Sequence, residues 1–176
     1  MITTLGEPPH DLGRQWVRGL IWRAPADLPL TEMQAVSRAA MRQSHPAAAV
    51  LGGRDSGVVH PLDSYGDVVV KEYRRGGHVS QFVRLHHLRR GPSRGEREFR
   101  NLRAVRAMGV HAPQPVAFAS RGLVIYRSWL VTRYVPNRGS LAALGQARAH
   151  GLERLVVATV RQIAPLLAHG VLHADL

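Results

Sequence analysis

The chain contains no cysteine, which excludes disulfides and thiolate metal sites. Aromatic residues make up only 6% of its 176 positions, and none forms a stacking array in the basic stretch described below. That argues against base stacking on single-stranded nucleic acid. No apolar run approaches the roughly 18 to 20 residues of a membrane span, and the N-terminus lacks the basic start and apolar core of an export signal. The expected location is the cytoplasm. Acidic residues number 12 against 24 Lys plus Arg. Lysine is scarcest of all, because every one of those basic residues is an arginine except Lys71.

What remains describes a folded domain, with 45% apolar and 20% charged residues and enough length for one sizeable core. The net charge of +12 and the pI near 11.6 imply a polyanionic neighbour, whether nucleic acid, an anionic membrane or a phosphorylated substrate. Ten arginines lie between Arg74 and Arg106, against only Glu96 and Glu98. No helix-turn-helix, zinc or RNA-recognition signature accompanies them, which disfavours a nucleic-acid partner. The ten histidines are scattered without ligand spacing, so no metal site is expected among them.

Composition shifts divide the chain into three parts. Residues 1–45 are rich in proline around one short helix at Thr31 to Gln43, with Thr31 as N-cap, and read as an N-terminal extension without chemistry. Residues 46–135 carry β-rich runs, AAVLGG, SGVVHPL and DVVVKEY, then a helical pattern, EREFRNLRAVRAMG, that Gly109 stops. Two further strands are expected, QPVAFAS and GLVIYRSWLVTRYV, the second broken near Arg127 and Ser128. Pro136, Asn137 and Gly139 mark a linker, and residues 136–176 turn helical, with a short segment at Ser140 to Gly145 and a longer helix at Leu152 to His169.

The chemistry gathers at three places. LGGRDSGVV supplies Gly52, Gly53 and Gly57, a turn through which backbone N–H groups can approach phosphates where a Cβ would block them. Lys71 ends the β run that follows. An ammonium is a compact point charge, whereas a guanidinium is a broad fork, so a narrow place between phosphate and carboxylate accepts only lysine. On the next helix, Glu98 stands four and seven residues before Leu102 and Val105 and shares the edge of their apolar face, while Glu96 lies over Arg100 and Arg103 as a solvated ion pair. At the C-terminus, GVLHADL presents His173 and Asp175 after an apolar helix. A carboxylate so placed can accept the proton of an attacking hydroxyl.

The order of glycine turn, strand lysine, helix glutamate and His-x-Asp resembles the small lobe and catalytic loop of protein-kinase-like folds, although the glycine spacing is not G-x-G-x-x-G. The fold class expected is therefore α+β: an antiparallel sheet with one helix, followed by the beginning of a helical large lobe. More closely, VVVKEYRRGGHVSQF, GEREFRNLRAVRAMGVHAPQPVAF, WLVTRYVPN and HGVLHADL resemble the lipopolysaccharide kinase family, over residues 48 to 176. The resemblance implies ATP as phosphate donor and a sugar hydroxyl of the lipopolysaccharide inner core as acceptor, on lipid A-Kdo or a core heptose. It implies work at an anionic membrane surface, the cytoplasmic face of a bacterial inner membrane. Lys71 inherits the role of anchoring phosphates, Glu98 that of holding the lysine, Asp175 that of catalytic base and His173 that of bracing the loop. Backbone groups near Arg133 to Val135 would bind adenine. The same fold also hosts small-molecule kinases of the aminoglycoside or choline type, against which YRRGG and the basic helix argue. In kinase-like folds an Asn follows the catalytic Asp by about five residues and a later Asp binds Mg²⁺. Those ligands are expected beyond Leu176, and the 176-residue chain as written is expected to be inactive.

Overall fold

The structure, a computed structural model, describes residues 12–42, 57–73, 87–88, 91–136, 145–146 and 151–171. Its strands pair antiparallel throughout. In sequence order they are β1 (Leu12–Val17), β2 (Leu20–Pro25), β3 (Gly57–Leu62), β4 (Gly66–Glu72), β5 (His87–Leu88), β6 (Pro115–Arg121) and β7 (Ile125–Arg133). Across the sheet they run β1-β2-β6-β7-β4-β3, and β5 pairs with the start of β7. The predicted strand AAVLGG lies outside the described residues.

Alternation along the strands assigns side chains to two faces. One face, with Trp22, Val68, Val70, Trp129 and Val131, is covered by helix α1 (Leu30–Arg42) through Met33, Val36 and Ala40. These three positions recur at helical spacing, and full burial of a side chain such as Val36 contributes roughly 1.5–3 kcal/mol. The other face, with Phe118 and Leu130, is covered by helix α2 (Arg94–Ala107), whose Phe99 ring lies 5.3 Å from that of Phe118. The sheet is thus the middle layer of an α+β fold.

The N-terminal segment proves to be part of this sheet. A helix over Thr31 to Gln43 is found one residue earlier, but β1 and β2 were not expected. They form a hairpin through Arg18 and Gly19, both at positive φ, and β2 pairs with β6. Trp22 donates its indole N–H to Ser37 Oγ of α1 at 2.9 Å, and Ser37 donates to the Met33 carbonyl at 2.7 Å. Glu32 accepts from the Ser64 N–H and hydroxyl at 3.1 and 2.7 Å, pinning α1 to the β3–β4 turn.

The predicted break in the last strand is corrected: β7 runs unbroken for nine residues. Its polar pair is accommodated, since Arg127 meets the buried Glu72 and the buried Ser128 hydroxyl is hydrogen-bonded. Gly109 does end α2, at φ +82, with the Gly109 and Val110 N–H groups closing back on Arg106 and Val105. Helix α3 (Leu152–Ala168) ends the same way at Gly170. No residue of α3 is buried, and Val156, Val160 and Leu167 are 43%, 58% and 55% exposed. Its Gln162 Oε1 accepts the His111 N–H of the α2–β6 loop at 2.7 Å. Most of the segment 140–145 lies outside the described residues. No described helix is long and apolar enough to cross a membrane.

The Trp22–Ser37 bond yields a direct test. Ser37→Ala strands a buried indole N–H and is expected to lower the free energy of unfolding by about 1–3 kcal/mol in urea titration. A change near zero would mean that α1 is not held on Trp22 as described.

Candidate functional site

Lys71 and Glu72 are neighbours with opposite destinations. Glu72 shares the α1 face with Val68 and Val70, is wholly buried, and accepts from Arg127 Nε at 2.9 Å, with a second, shorter contact from Arg127 Nη2. The Arg127 guanidinium lies over the Trp129 ring at 4.9 Å. This is a structural ion pair, turned away from any ligand that Lys71 would meet. Lys71 faces the α2 side, its register partners being Gly57 on β3 and Leu130 on β7. The Lys71 Nζ stands 5.2 Å from the ring of Tyr73, which is buried in the same cluster as Phe99.

The register brings Gly57 beside Lys71. A Cβ on Gly57 would meet Val69 Cγ1 at 2.6 Å, so a side chain there would require Val69 to shift. Gly52 and Gly53 lie outside the described residues, as do His173 and Asp175. Glu98 is half-buried on the second turn of α2. Glu96 pairs with Arg100 at 2.7 Å, the ion pair its spacing predicts. Of the backbone groups after β7, the Arg133 N–H is taken by the Gln114 carbonyl and the Tyr134 N–H by the Asp67 carbonyl, both at 2.8 Å. Val135 follows them and is exposed.

The start of α2 is held by contacts that sequence reasoning passed over. Ser93 caps the helix, accepting from the Glu96 N–H at 3.2 Å. The Arg94 N–H donates to the Tyr126 hydroxyl at 3.1 Å, and the Gly95 N–H donates to Ser128 Oγ at 2.8 Å. All three amides at this helix end are thus engaged within the protein, and the helix terminus is a docking point rather than an anion site. Gly95 is packed so closely that a Cβ would lie 2.4 Å from the Trp129 carbonyl oxygen and 2.7 Å from Ser128 Oγ. The Arg94 guanidinium sits 4.8 Å from the Tyr73 ring centre, which places a second cation beside the ring that Lys71 approaches. The spacing S-x-x-E at Ser93 to Glu96 was the readable signal for this helix start. The close packing of Gly95 had no signal beyond the glycine itself.

A cleft of about 500 Å³ lies elsewhere, lined by Arg103 and Arg106 of α2 with Tyr65, Pro115 and Val116. It opens near the far end of β4, six residues or roughly 20 Å along the strand from Lys71, and does not belong to the lysine site. Among the described residues no group of three His, Cys, Asp or Glu could hold a metal ion.

A lysine near the end of β4, a glycine opposite it on the preceding strand, and a glutamate-bearing helix on the lysine's face of an antiparallel sheet define a protein-kinase-like small lobe. The model of the Lipopolysaccharide kinase (Kdo/WaaP) family matches residues 52–176. The chain belongs to that family. The 3-deoxy-D-manno-octulosonic acid kinase of Vibrio vulnificus (strain YJ016) is 32% identical over 110 residues, which cover 61% of this chain and 46% of that protein. The chain thus spans about half the length of the curated relative it matches. No solved structure matches it.

Gly95→Ala discriminates between a docked and a free α2, because the sign of its effect differs. On an undocked helix the alanine would stabilise by roughly 0.5–1 kcal/mol. Here it is expected to destabilise by about 2 kcal/mol or more, since the added Cβ meets backbone atoms that cannot rotate away. Thermal or urea unfolding of the variant measures which holds.

Proposed function

We propose that the protein carries the nucleotide-binding lobe of an ATP-dependent phosphotransferase acting on a sugar hydroxyl, Kdo or heptose, of the lipopolysaccharide inner core. The observation that carries this reading is the placement of Lys71 on the α2 face opposite Gly57, within a segment that the family model matches from residue 52 to 176. The relative named as a Kdo kinase supports the acceptor class.

In this reading Gly52, Gly53 and Gly57 let the backbone approach the triphosphate, and the Lys71 ammonium balances charge on the α- and β-phosphates. Glu98 of α2 orients that ammonium. Arg94, beside the same Tyr73 ring, adds positive potential at the phosphate end. The adenine lies against the backbone near Arg133 to Val135. Because the Arg133 and Tyr134 amides are engaged internally, Val135 is the position left to serve it. Asp175 accepts the proton of the acceptor hydroxyl as its oxygen attacks the γ-phosphorus and ADP departs, and His173 braces that loop. Mg²⁺ bound with ATP would supply charge neutralisation of the phosphates; the described residues include no cluster that would hold it. The enzyme works as a peripheral protein on the cytoplasmic face of the inner membrane, where its lipid-anchored acceptor resides. The charge of +12 suits that anionic surface without invoking nucleic acid.

Lys71→Arg tests the reading, because it keeps the charge and changes only its shape. In the intact protein, transfer of phosphate from ATP to lipid A-Kdo is expected to fall by about 100-fold or more, with an unchanged melting temperature. Transfer to aminoglycosides or choline, with none to the lipid acceptor, would replace this reading with the small-molecule kinase alternative.

A further inference from the structure

The tip of the β6–β7 hairpin carries an exposed apolar run: Leu123 is 80%, Val124 68% and Ile125 59% exposed. Leu88 of β5, the register partner of Ile125, is 52% exposed and extends the same patch. The turn is closed tightly. Gly122 has φ +100, and a Cβ there would lie 2.1 Å from the Ile125 carbonyl oxygen, so the apolar side chains stand on a fixed, convex point. Immediately inward the hairpin becomes buried and polar at Tyr126 and Ser128. Nothing in the fold requires four aliphatic side chains beyond that point, and soluble proteins seldom keep such clusters exposed without a use.

Charge identifies the occupant. Exposed Arg121 flanks the run directly, and Leu88 is followed in sequence by Arg89 and Arg90, in a chain of net charge +12. An aliphatic point flanked by an exposed arginine, in a strongly basic chain, matches the boundary of an anionic bilayer, where apolar side chains enter the acyl region and guanidinium groups stay at the headgroups. A protein partner would instead have to offer a groove that fits the tip.

We infer that Leu123, Val124 and Ile125, with Leu88 and Arg121, form a wedge that inserts into the interface of anionic phospholipid bilayers. The wedge also has a bearing on the site. Lys71 and Tyr73 meet β7 at Leu130 and Ser128, so the phosphate end of the lysine site and the hairpin tip lie at the same end of the sheet. Ser128 is three residues, roughly 10 Å along the strand, from Ile125. Docking by the tip would present that end to a lipid-anchored acceptor, a consequence that rests on the proposed function. The insertion itself does not.

Because the chain has no cysteine, Leu123→Cys offers a unique point for an environment-sensitive fluorophore on the intact protein. Vesicles of phosphatidylglycerol and phosphatidylethanolamine are expected to shift its emission to the blue, and vesicles of phosphatidylcholine alone are expected to leave it nearly unchanged. In co-sedimentation, Leu123→Ser with Val124→Ser is expected to weaken binding to the anionic vesicles at least tenfold while the melting temperature holds. Arg121→Gln is expected to weaken it several-fold. Vesicle binding that survives the double substitution, or that leaves the fluorophore unshifted, overturns the wedge. Absence of binding to either kind of vesicle overturns it as well and leaves the tip to a protein partner. These readouts need no phosphoryl transfer, so a failed kinase assay with intact vesicle binding would count against the proposed function alone.

Discussion

The lobe depends on what one buried hydroxyl residue ties together. Ser128, in the middle of β7, takes the Gly95 N–H on its side-chain oxygen, turns that hydroxyl toward the Ala119 carbonyl of β6 at 3.3 Å, and receives the Tyr73 N–H on its own carbonyl at 3.0 Å. One position therefore joins the start of α2, the centre of the sheet and the end of the lysine strand. Because Ser128 is wholly buried, each of these bonds is costly to leave unmade. The close packing of Gly95 on Trp129 follows from the same junction, because α2 can approach to hydrogen-bonding distance only where no side chain intervenes.

That junction gives the alternation of β4 its meaning. With α2 fixed over one face, Lys71 and Glu72 are sent to different environments by the two-residue period alone. Glu72 is consumed by Arg127 in the layer beneath α1, so it cannot serve as the lysine's partner despite its adjacency. The two cations near the Tyr73 ring, Lys71 and Arg94, arise from opposite ends of this junction, one from the strand and one from the helix.

Much of this was legible in the residues. The runs around Val58 and Val69, the helix over Phe99 and Leu102 and the stop at Gly109 were readable because each rests on local periodicity or on a local backbone requirement. The order of elements, the solitary lysine and the terminal His-Ala-Asp together implied the kinase-like lobe. The β1–β2 hairpin was missed, although Leu20, Trp22 and Ala24 alternate inward as a strand should. Its turn is Arg-Gly instead of Asn-Gly, and the surrounding prolines suggested irregular chain. The continuity of β7 was missed for another reason: whether Arg127 and Ser128 break a strand depends on Glu72 and Gly95, both more than thirty residues away in sequence. Pairings of that kind leave no local signal.

The proposed pairing of Glu98 with Lys71 is measured most directly by a double-mutant cycle on the intact protein. Lys71→Met, Glu98→Gln and the double variant would be compared by kcat/KM for phosphoryl transfer. If the glutamate acts through the lysine, the double variant will be scarcely worse than Lys71→Met alone, with an interaction energy of about 1 kcal/mol or more. Losses that simply add, leaving no interaction energy, would contradict the account and separate Glu98 from the site.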